Sequence, residues 1–181
     1  AIKDLFATKG TLTTANTWGL LDWAPSEDAT VVKHLRNAGI VLLGKLMLHE
    51  YALSGPSFDT PFPPARNPWN LEHAPGGSSS GSGSATAAGL CVASLGSDTA
   101  GSIRGPASMC GIVGLKPTYG LVSRKGVIPL SWSLDHIGPL CRTVEDTAIV
   151  LQCIAGHDPE DPASINVQLP DYSSQIGEPI D

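Results

Sequence analysis

A tract rich in glycine and serine near the middle of the chain, residues 76–89 (GGSSSGSGSATAAG), constrains the fold more than any other feature. Such composition is typical of flexible linkers, but a linker does not normally continue into small apolar residues that favour burial, as residues 85–96 do. The first half of the tract therefore predicts a turn. The second half predicts a helix that packs closely against a neighbouring element.

Two helices are predicted on either side of this tract. The first covers residues 27–38, because Ser26 and two acidic residues supply an N-terminal signal and Gly39 supplies a C-terminal one. The second covers residues 143–155, which begin with a threonine and an aspartate at the spacing of a capping box.

Short apolar runs predict three strands, at residues 40–43, 92–95 and 112–115. The proline-rich segment 54–75 predicts a loop, since each proline removes a backbone donor. Helices that alternate with buried strands are typical of the α/β class, which is the fold class that we predict.

Composition and charge exclude several classes of protein. The chain has 11 lysines and arginines against 17 aspartates and glutamates, so an acidic net charge of −6 disfavours direct nucleic-acid binding. No apolar run approaches the roughly 18 residues that cross a bilayer, so no membrane association is expected. The four cysteines form no CxxC pair and predict buried thiols in a reducing compartment, the cytoplasm.

Several short motifs are incomplete. A dinucleotide-binding GxGxxG pattern fails at Thr86, and the zinc-binding HExxH pattern that begins at His49 fails at Leu53. Residues 77–81 match the GxSxG nucleophile elbow, but no strand precedes them, so we attribute the match to chance. The sequence therefore predicts no metal and no cofactor.

A second cluster of small residues, 96–102 (GSDTAGS), follows a predicted strand. Small residues can bring successive backbone N–H groups together beside one hydroxyl, which is what an oxyanion hole requires. An ordinary polar turn explains the residues equally well, and from the residues alone both interpretations stay open.

Long stretches of the chain resemble the amidase signature family. Residues 76–123 resemble the segment that gives the family its name, and residues 1–14 (AIKDLFATKGTLTT) resemble its lysine-bearing strand and turn. GKLMLHEYA, at 44–52, and residues 133–156 are similar to further family segments. The resemblance implies the amidase signature fold, a mixed β-sheet core covered by helices on both faces and represented here by a partial chain.

The resemblance also implies a division of the chain. Residues 1–156 would form the amidase signature core, incomplete at both ends, and residues 157–181 a connector rich in proline, aspartate and serine. Because the chain starts with Ala1, we expect it to be a piece of a longer protein that continues past this connector.

Three catalytic side chains follow from the resemblance. The family's acyl-accepting serine corresponds to Ser102, its bridging serine on a cis peptide bond to Ser78, and its lysine to Lys3. Lys45, in the conspicuous GKLMLHE, is expected to serve structure instead. The predicted oxyanion donors are the backbone N–H groups of Ser102 and of three residues before it, Thr99, Ala100 and Gly101.

Two features bear on whether this site can work. A free lysine is a cation at neutral pH and can act as a base only if burial lowers its pKa, which the apolar neighbours of Lys3 favour and Asp4 would oppose. Many family members have glycine where this chain has Ala100, which tolerates fewer torsions.

Asp98 and Arg104, with opposite charges, are expected to brace the loop.

The resemblance implies that the protein is an amidase. It would hydrolyse a small carboxamide to a carboxylic acid and ammonia through an acyl-enzyme on Ser102, without a cofactor. The alternative is the glutaminase component of a tRNA-dependent amidotransferase, its A subunit, which works with partner subunits and passes its ammonia on. The sequence leaves open whether the protein is a homo-oligomer.

Overall fold

The structure of the chain, a computed structural model, describes residues 1–53, 55–174 and 176–177. Its described part contains one mixed sheet of five strands in the spatial order β2-β1-β3-β5-β4. The strands are β1 (Ile2–Lys3), β2 (Lys45–Leu46), β3 (Ala93–Asp98), β4 (Val113–Gly114) and β5 (His136–Cys141). Strand β1 runs parallel to β2 and β3, whereas β5 runs antiparallel to β3 and β4.

Helices cover both faces of this sheet. They are α1 (Thr30–Asn37), α2 (Ser80–Ala87), α3 (Arg104–Cys110) and α4 (Val144–Ile154), with short 3-10 turns at Trp18–Leu20 and Glu50–Ala52. Apolar residues of α1 and α4 pack with Leu95 and Ile137 in the main core. Residues of α3 pack with Leu140, and α2 contacts β3. The predicted α/β class with helices on both faces is confirmed.

The glycine and serine tract forms the predicted turn and closely packed helix. At Gly81, in α2, an added Cβ would lie 2.5 Å from the backbone nitrogen of Met47. At Gly96, in β3, it would lie 2.7 Å from the hydroxyl oxygen of Ser79. Glycine is therefore needed at both positions, because the helix and the sheet approach too closely for any side chain.

The predicted helix ends are confirmed only in part. In α4, the Thr143 hydroxyl accepts a hydrogen bond from the Asp146 N–H at 3.0 Å, as the capping box predicts. Helix α1 ends at Asn37, and Gly39, with φ of +80°, follows its C-cap Ala38 as the predicted C-terminal glycine. It begins at Thr30 after Ala29, however, so Ser26 does not cap it.

The strand predicted at residues 40–43 is wrong. The run is in no strand, and Val41 and Leu43 are 77% and 65% exposed, because no described element covers them. The neighbouring strand starts only at Lys45. The strands predicted at residues 92–95 and 112–115 are confirmed with different limits. The first corresponds to β3, which extends to Asp98, and the second contains the shorter β4.

The sequence missed β5 and α3 because glycine and proline interrupt both. Strand β5 contains Gly138 and Pro139, which argue against a strand interior, yet it forms six residue pairs with β3. Helix α3 has Gly105 and Pro106 in its first turn, where proline is tolerated because no intrahelical donor is required there.

The predicted connector begins with residues that bind the core. The Asp158 carboxylate accepts hydrogen bonds from the Thr30 and Ser123 hydroxyls at 2.7 and 2.6 Å, and Asp161 forms an ion pair with Arg124. The domain boundary at residue 156 stays a prediction. Position 54 of the predicted loop and positions 175 and 178–181 of the predicted connector lie outside the described residues.

The four cysteines are free thiols, three of them buried and Cys153 half-buried, as the sequence predicts. A search of the described residues finds no helix that is both long and apolar enough to cross a membrane.

Candidate active site

Lys3 is fully buried and lies at the end of β1. Its ammonium nitrogen Nζ donates hydrogen bonds to the Ser78 Oγ at 2.7 Å and to the Ser97 Oγ at 2.9 Å. Burial lowers the pKa of Lys3 from 10.5 to about 7, although Asp135 and Asp98 act to raise it. The amine is therefore available in its neutral form near neutral pH.

Lys45 occupies a different environment. Its Nζ donates to the Phe6 carbonyl and the Thr13 hydroxyl, both at 2.7 Å, and forms an ion pair with Asp4 at 2.9 Å. Three donors on one ammonium are thus all used within the fold. These contacts agree with the structural role expected for Lys45. They also pair the charge of Asp4, which the sequence had left as an opposing influence on Lys3.

Ser78 follows a cis peptide bond, Gly77–Ser78, as the resemblance implies. The residue is 2% exposed and precedes α2 by two positions. Its carbonyl accepts a hydrogen bond from the backbone N–H of His49 at 3.1 Å, and the His49 ring packs against Gly77. These contacts hold the backbone of the residue whose hydroxyl accepts from Lys3.

Ser102 lies in the turn between β3 and α3. Its carbonyl accepts a hydrogen bond from the Ser79 N–H at 3.2 Å, which joins the two serine-containing segments. Its side chain is half-buried, and among the described residues no hydrogen bond links its hydroxyl to Ser78. The structure therefore brings Lys3 and Ser78 into direct contact, and it connects Ser102 by a backbone hydrogen bond to Ser79, the residue after Ser78.

The carboxylate of Asp98 organises the turn that carries Ser102. It is fully buried and accepts hydrogen bonds from the backbone N–H groups of Gly101, Ile103 and Arg104 at 2.8, 3.1 and 3.3 Å. The Arg104 guanidinium adds two more, at 3.1 and 3.2 Å. Burial acts to raise the pKa of Asp98, but these hydrogen bonds outweigh burial and lower it. The expectation that Asp98 and Arg104 brace the loop is confirmed.

The hydrogen bond to Asp98 changes the predicted oxyanion site. Because the Gly101 N–H donates to Asp98, it is not free to bind an oxyanion in this conformation, and the prediction for Gly101 needs this correction. The N–H groups of Thr99, Ala100 and Ser102 donate to no acceptor within the described part of the chain. Three of the four predicted donors are thus available.

Alanine at position 100 does not distort the loop. The described non-glycine residues with positive φ do not include Ala100, whereas Gly101 has φ of +140°. The torsion that only glycine adopts readily therefore falls on Gly101, and the methyl group of Ala100 introduces no backbone strain there.

Sequence reasoning missed two residues of this site, Ser97 and Asp135. Ser97 lies just beyond the predicted strand 92–95. Asp135 immediately precedes β5, the strand that pairs with β3. The Asp135 carboxylate accepts hydrogen bonds from the Thr99 hydroxyl and from the Leu130 N–H. Ser97 belongs to the cluster 96–102, but no local pattern shows that either residue lies near Lys3, because that proximity depends on the pairing of β1 with β3 and of β3 with β5.

We expect Asp98→Asn to lower the free energy of unfolding by about 2 kcal/mol, because a neutral amide accepts the same N–H groups more weakly than a buried carboxylate. Arg104→Met should lower the free energy of unfolding less than Asp98→Asn does, since half of the Arg104 side chain is in solvent. Urea unfolding of the intact protein measures both. A larger loss in Arg104→Met than in Asp98→Asn would contradict the central position of the carboxylate.

Comparison with known proteins assigns the chain to a family. The family model described as Amidase matches residues 1–179. The A subunit of glutamyl-tRNA(Gln) amidotransferase from Moorella thermoacetica is 53% identical over 176 residues, covering 97% of this chain and 36% of that protein. The corresponding protein of Synechococcus sp. (strain WH7803) is 50% identical, covering 100% of this chain and 37% of that protein.

Solved structures agree with these matches. The crystal structure of the A subunit of glutamyl-tRNA(Gln) amidotransferase from Thermotoga maritima is similar with a TM-score of 0.93 and 49% identity, covering 97% of this chain and 38% of that one. Native peptide amidase from Stenotrophomonas maltophilia is similar with a TM-score of 0.87 and 42% identity, covering 97% and 37%. The chain thus spans little more than a third of the length of these relatives. Because the family's sequence pattern extends over almost all of it, the chain belongs to the amidase family.

Proposed function

We propose that the protein hydrolyses the C–N bond of a carboxamide and releases a carboxylic acid and ammonia, through an acyl-enzyme on Ser102. The observation that carries this proposal is the buried amine of Lys3, 2.7 Å from the Ser78 hydroxyl, with a pKa lowered to about 7 by burial. A neutral amine in contact with a serine is the arrangement that general-base activation of a hydroxyl requires.

In the acylation step, neutral Lys3 takes the proton of the Ser78 hydroxyl while Ser78 takes the proton of Ser102. The Ser102 oxygen attacks the amide carbon, and the carbonyl oxygen becomes an oxyanion. The N–H groups of Thr99, Ala100 and Ser102, which have no protein acceptor among the described residues, would stabilise that charge.

Collapse of this intermediate breaks the C–N bond. The proton held by Lys3 returns through Ser78 to the departing nitrogen, which leaves as ammonia. Water then attacks the ester carbon and gives a proton to Ser78 while Ser78 gives its own proton to Lys3. When the bond to the Ser102 oxygen breaks, the relay returns a proton to that oxygen, the acid leaves, and both hydroxyls and the neutral amine are restored.

A second candidate is the glutaminase function of an amidotransferase, in which ammonia passes to a partner instead of into solution. The specific observation in its favour is that relatives 50% to 53% identical to this chain carry that name. The similarity to peptide amidase, at 42% identity, favours a stand-alone amidase. A cytoplasmic location stays a prediction from the sequence, and the oligomeric state stays open.

Ammonia release by the intact protein from acetamide, benzamide and glutamine distinguishes these candidates. A stand-alone amidase should release ammonia from a simple carboxamide without any other protein. If glutamine is the only one of these amides from which ammonia is released, and only after partner subunits are added, the result would favour the amidotransferase function. No release from any amide under either condition would contradict the proposed function.

We expect Ser78→Ala to lower kcat by about 10³-fold, since the amine of Lys3 then has no hydroxyl through which to reach Ser102. Ser80→Ala is the matched control, because Ser80 lies in the same tract, is 3% exposed and has an unpartnered hydroxyl. That variant should keep kcat within about threefold. Steady-state ammonia release measures both, and equal losses in the two variants would contradict a specific role for Ser78.

A further inference from the structure

Ser97 is the second hydroxyl in contact with Lys3, and the proposed mechanism does not use it. It lies in β3 next to Asp98, is 5% exposed and accepts a hydrogen bond from the Lys3 Nζ at 2.9 Å. It stands outside the tract 76–89 and is nearly as buried as Ser78. A buried hydroxyl that contacts the proposed base acts directly on its orientation.

The geometry of a neutral amine explains why this contact matters. A neutral lysine has two N–H bonds and one lone pair, and only the lone pair can take a proton. To accept the proton of Ser78, the amine must rotate so that this lone pair faces the Ser78 oxygen. A fixed acceptor for one N–H bond restricts that rotation, because it disfavours the orientation in which the lone pair faces the acceptor instead of Ser78.

We propose that Ser97 is a positioning residue, whose hydroxyl holds one N–H bond of neutral Lys3 so that the lone pair faces Ser78. This inference rests on the proposed function and assigns Ser97 a role that neither the sequence nor the family resemblance suggested. Ser97 would contact neither the substrate nor the oxyanion, and would act only through Lys3.

No other described group takes this place. Asp98, on the same strand, is occupied by Arg104 and by backbone N–H groups. Asp135, beside β5, accepts from the Thr99 hydroxyl and from the Leu130 and Ser131 N–H groups. Asp4, the next residue in the chain, is paired with Lys45. Within the described residues, only the hydroxyls of Ser78 and Ser97 form hydrogen bonds with the amine of Lys3.

The same contact affects the ionisation of Lys3. Protonated Lys3 donates to both serines, and hydrogen bonds to a charged donor are stronger than those to a neutral one. Removing the Ser97 oxygen therefore destabilises the ammonium more than the neutral amine and lowers the pKa of Lys3 further. The charges of Asp98 and Asp135, which face Lys3 and act to raise its pKa, stay in place.

Three variants of the intact protein test the proposal. Ser97→Ala removes the hydroxyl, and Ser97→Thr keeps it and places a methyl group where Ser97 borders a cavity of about 110 Å³. Ser94→Ala is the matched control, since Ser94 lies in the same strand, is 2% exposed and hydrogen-bonds to α2 instead of to Lys3. Ammonia release gives kcat and KM as functions of pH, and thermal unfolding confirms that each variant is folded.

For Ser97→Ala we expect kcat to fall about tenfold or more with little change in KM, because orientation of the base is lost and substrate contacts are not. The acid limb of the kcat profile should move to lower pH by about one unit. In Ser97→Thr, kcat and the position of the acid limb should both match those of the unaltered protein. Ser94→Ala should leave the position of the acid limb unchanged. If Ser97→Ala fails to fold, Ser97→Cys keeps the volume with a weaker acceptor and should show the same shift in part.

An acid limb that stays in place in Ser97→Ala or Ser97→Cys would overturn the inference, whatever happens to kcat, because a purely structural role lowers activity without moving the ionisation of Lys3. An equal movement of the limb in Ser94→Ala would overturn it as well. A different result would contradict the proposed function, namely hydrolysis that persists in Ser102→Ala. The two outcomes are therefore separable in one set of variants.

Discussion

Replacing Ser102 with alanine in the intact protein should lower kcat by about 10⁴-fold or more, which is the largest effect that we expect from any substitution. The hydroxyl is the only protein group in the proposed mechanism that bonds to the substrate carbon, and the mechanism gives no other residue this role. The oxyanion donors and the fold would remain, because the Ser102 carbonyl still accepts from the Ser79 N–H. Ammonia release under single-turnover and steady-state conditions measures the loss.

Ser108→Ala supplies the control for this variant. Ser108 lies in α3, a few residues beyond Ser102, and is exposed to solvent. Its substitution should change kcat by less than about twofold. Turnover by Ser102→Ala within tenfold of the unaltered protein would show that another group is the nucleophile and would end the assignment of Ser102.

Replacing Lys3 with methionine should have the second-largest effect, a fall in kcat of about 10³-fold at pH 8. The remaining activity should rise steadily with pH, since hydroxide then has to remove the proton from the serine pair. Methionine fills the buried volume without an ionisable group. Lys33→Met, which alters a half-exposed lysine of α1, should keep both the rate and the acid limb of the unaltered protein.

The same variant should change how stability depends on pH. Folding lowers the pKa of Lys3 from 10.5 to about 7, so between these values the unfolded chain binds a proton that the folded chain does not. Stability due to this group is therefore lowest below pH 7 and rises as pH increases towards 10.5, by about 5 kcal/mol in total. In Lys3→Met this contribution to the slope should be absent. Urea unfolding at pH 6.5, 8.5 and 10 measures the free energy of unfolding of both proteins. If this free energy depends on pH in the same way in both, the result would contradict a buried neutral amine.

Local signals in the sequence predicted the elements whose structure is set locally. Helix α4 has its capping threonine, and the close approach of α2 follows from residues too small to hold it away from the sheet. Strand β5 was missed because Gly138 and Pro139 weaken every local strand signal. Its stability comes from pairing with β3, which no local pattern contains.

The apolar run 40–43 shows the opposite failure. Its residues favour a buried strand, yet most of Val41 is exposed, because burial depends on a covering layer and not on the strand alone. Hydrophobicity therefore predicted the wrong location for β2, which begins after this run at Lys45.

The features of the candidate site also fall into two groups, those that the sequence indicated and those that it did not. Family resemblance supplied Lys3, Ser78 and Ser102, which carry recognisable motifs around them. The occupied N–H of Gly101 and the contact of Ser97 with Lys3 depend on distances between segments far apart in the chain. Neither could be obtained without the three-dimensional arrangement.

The most direct test is the rate at which a fluorophosphonate modifies the intact protein as a function of pH, with the modified residue identified by peptide mass spectrometry. The reagent reports the attacking oxygen and the ionisation of its base together, without depending on the natural amide. We predict one adduct, on Ser102, formed at a rate that rises with pH around a midpoint near 7, the value to which burial lowers the pKa of Lys3. An adduct on a different residue, or a midpoint near the 10.5 of an ordinary lysine, would contradict the account.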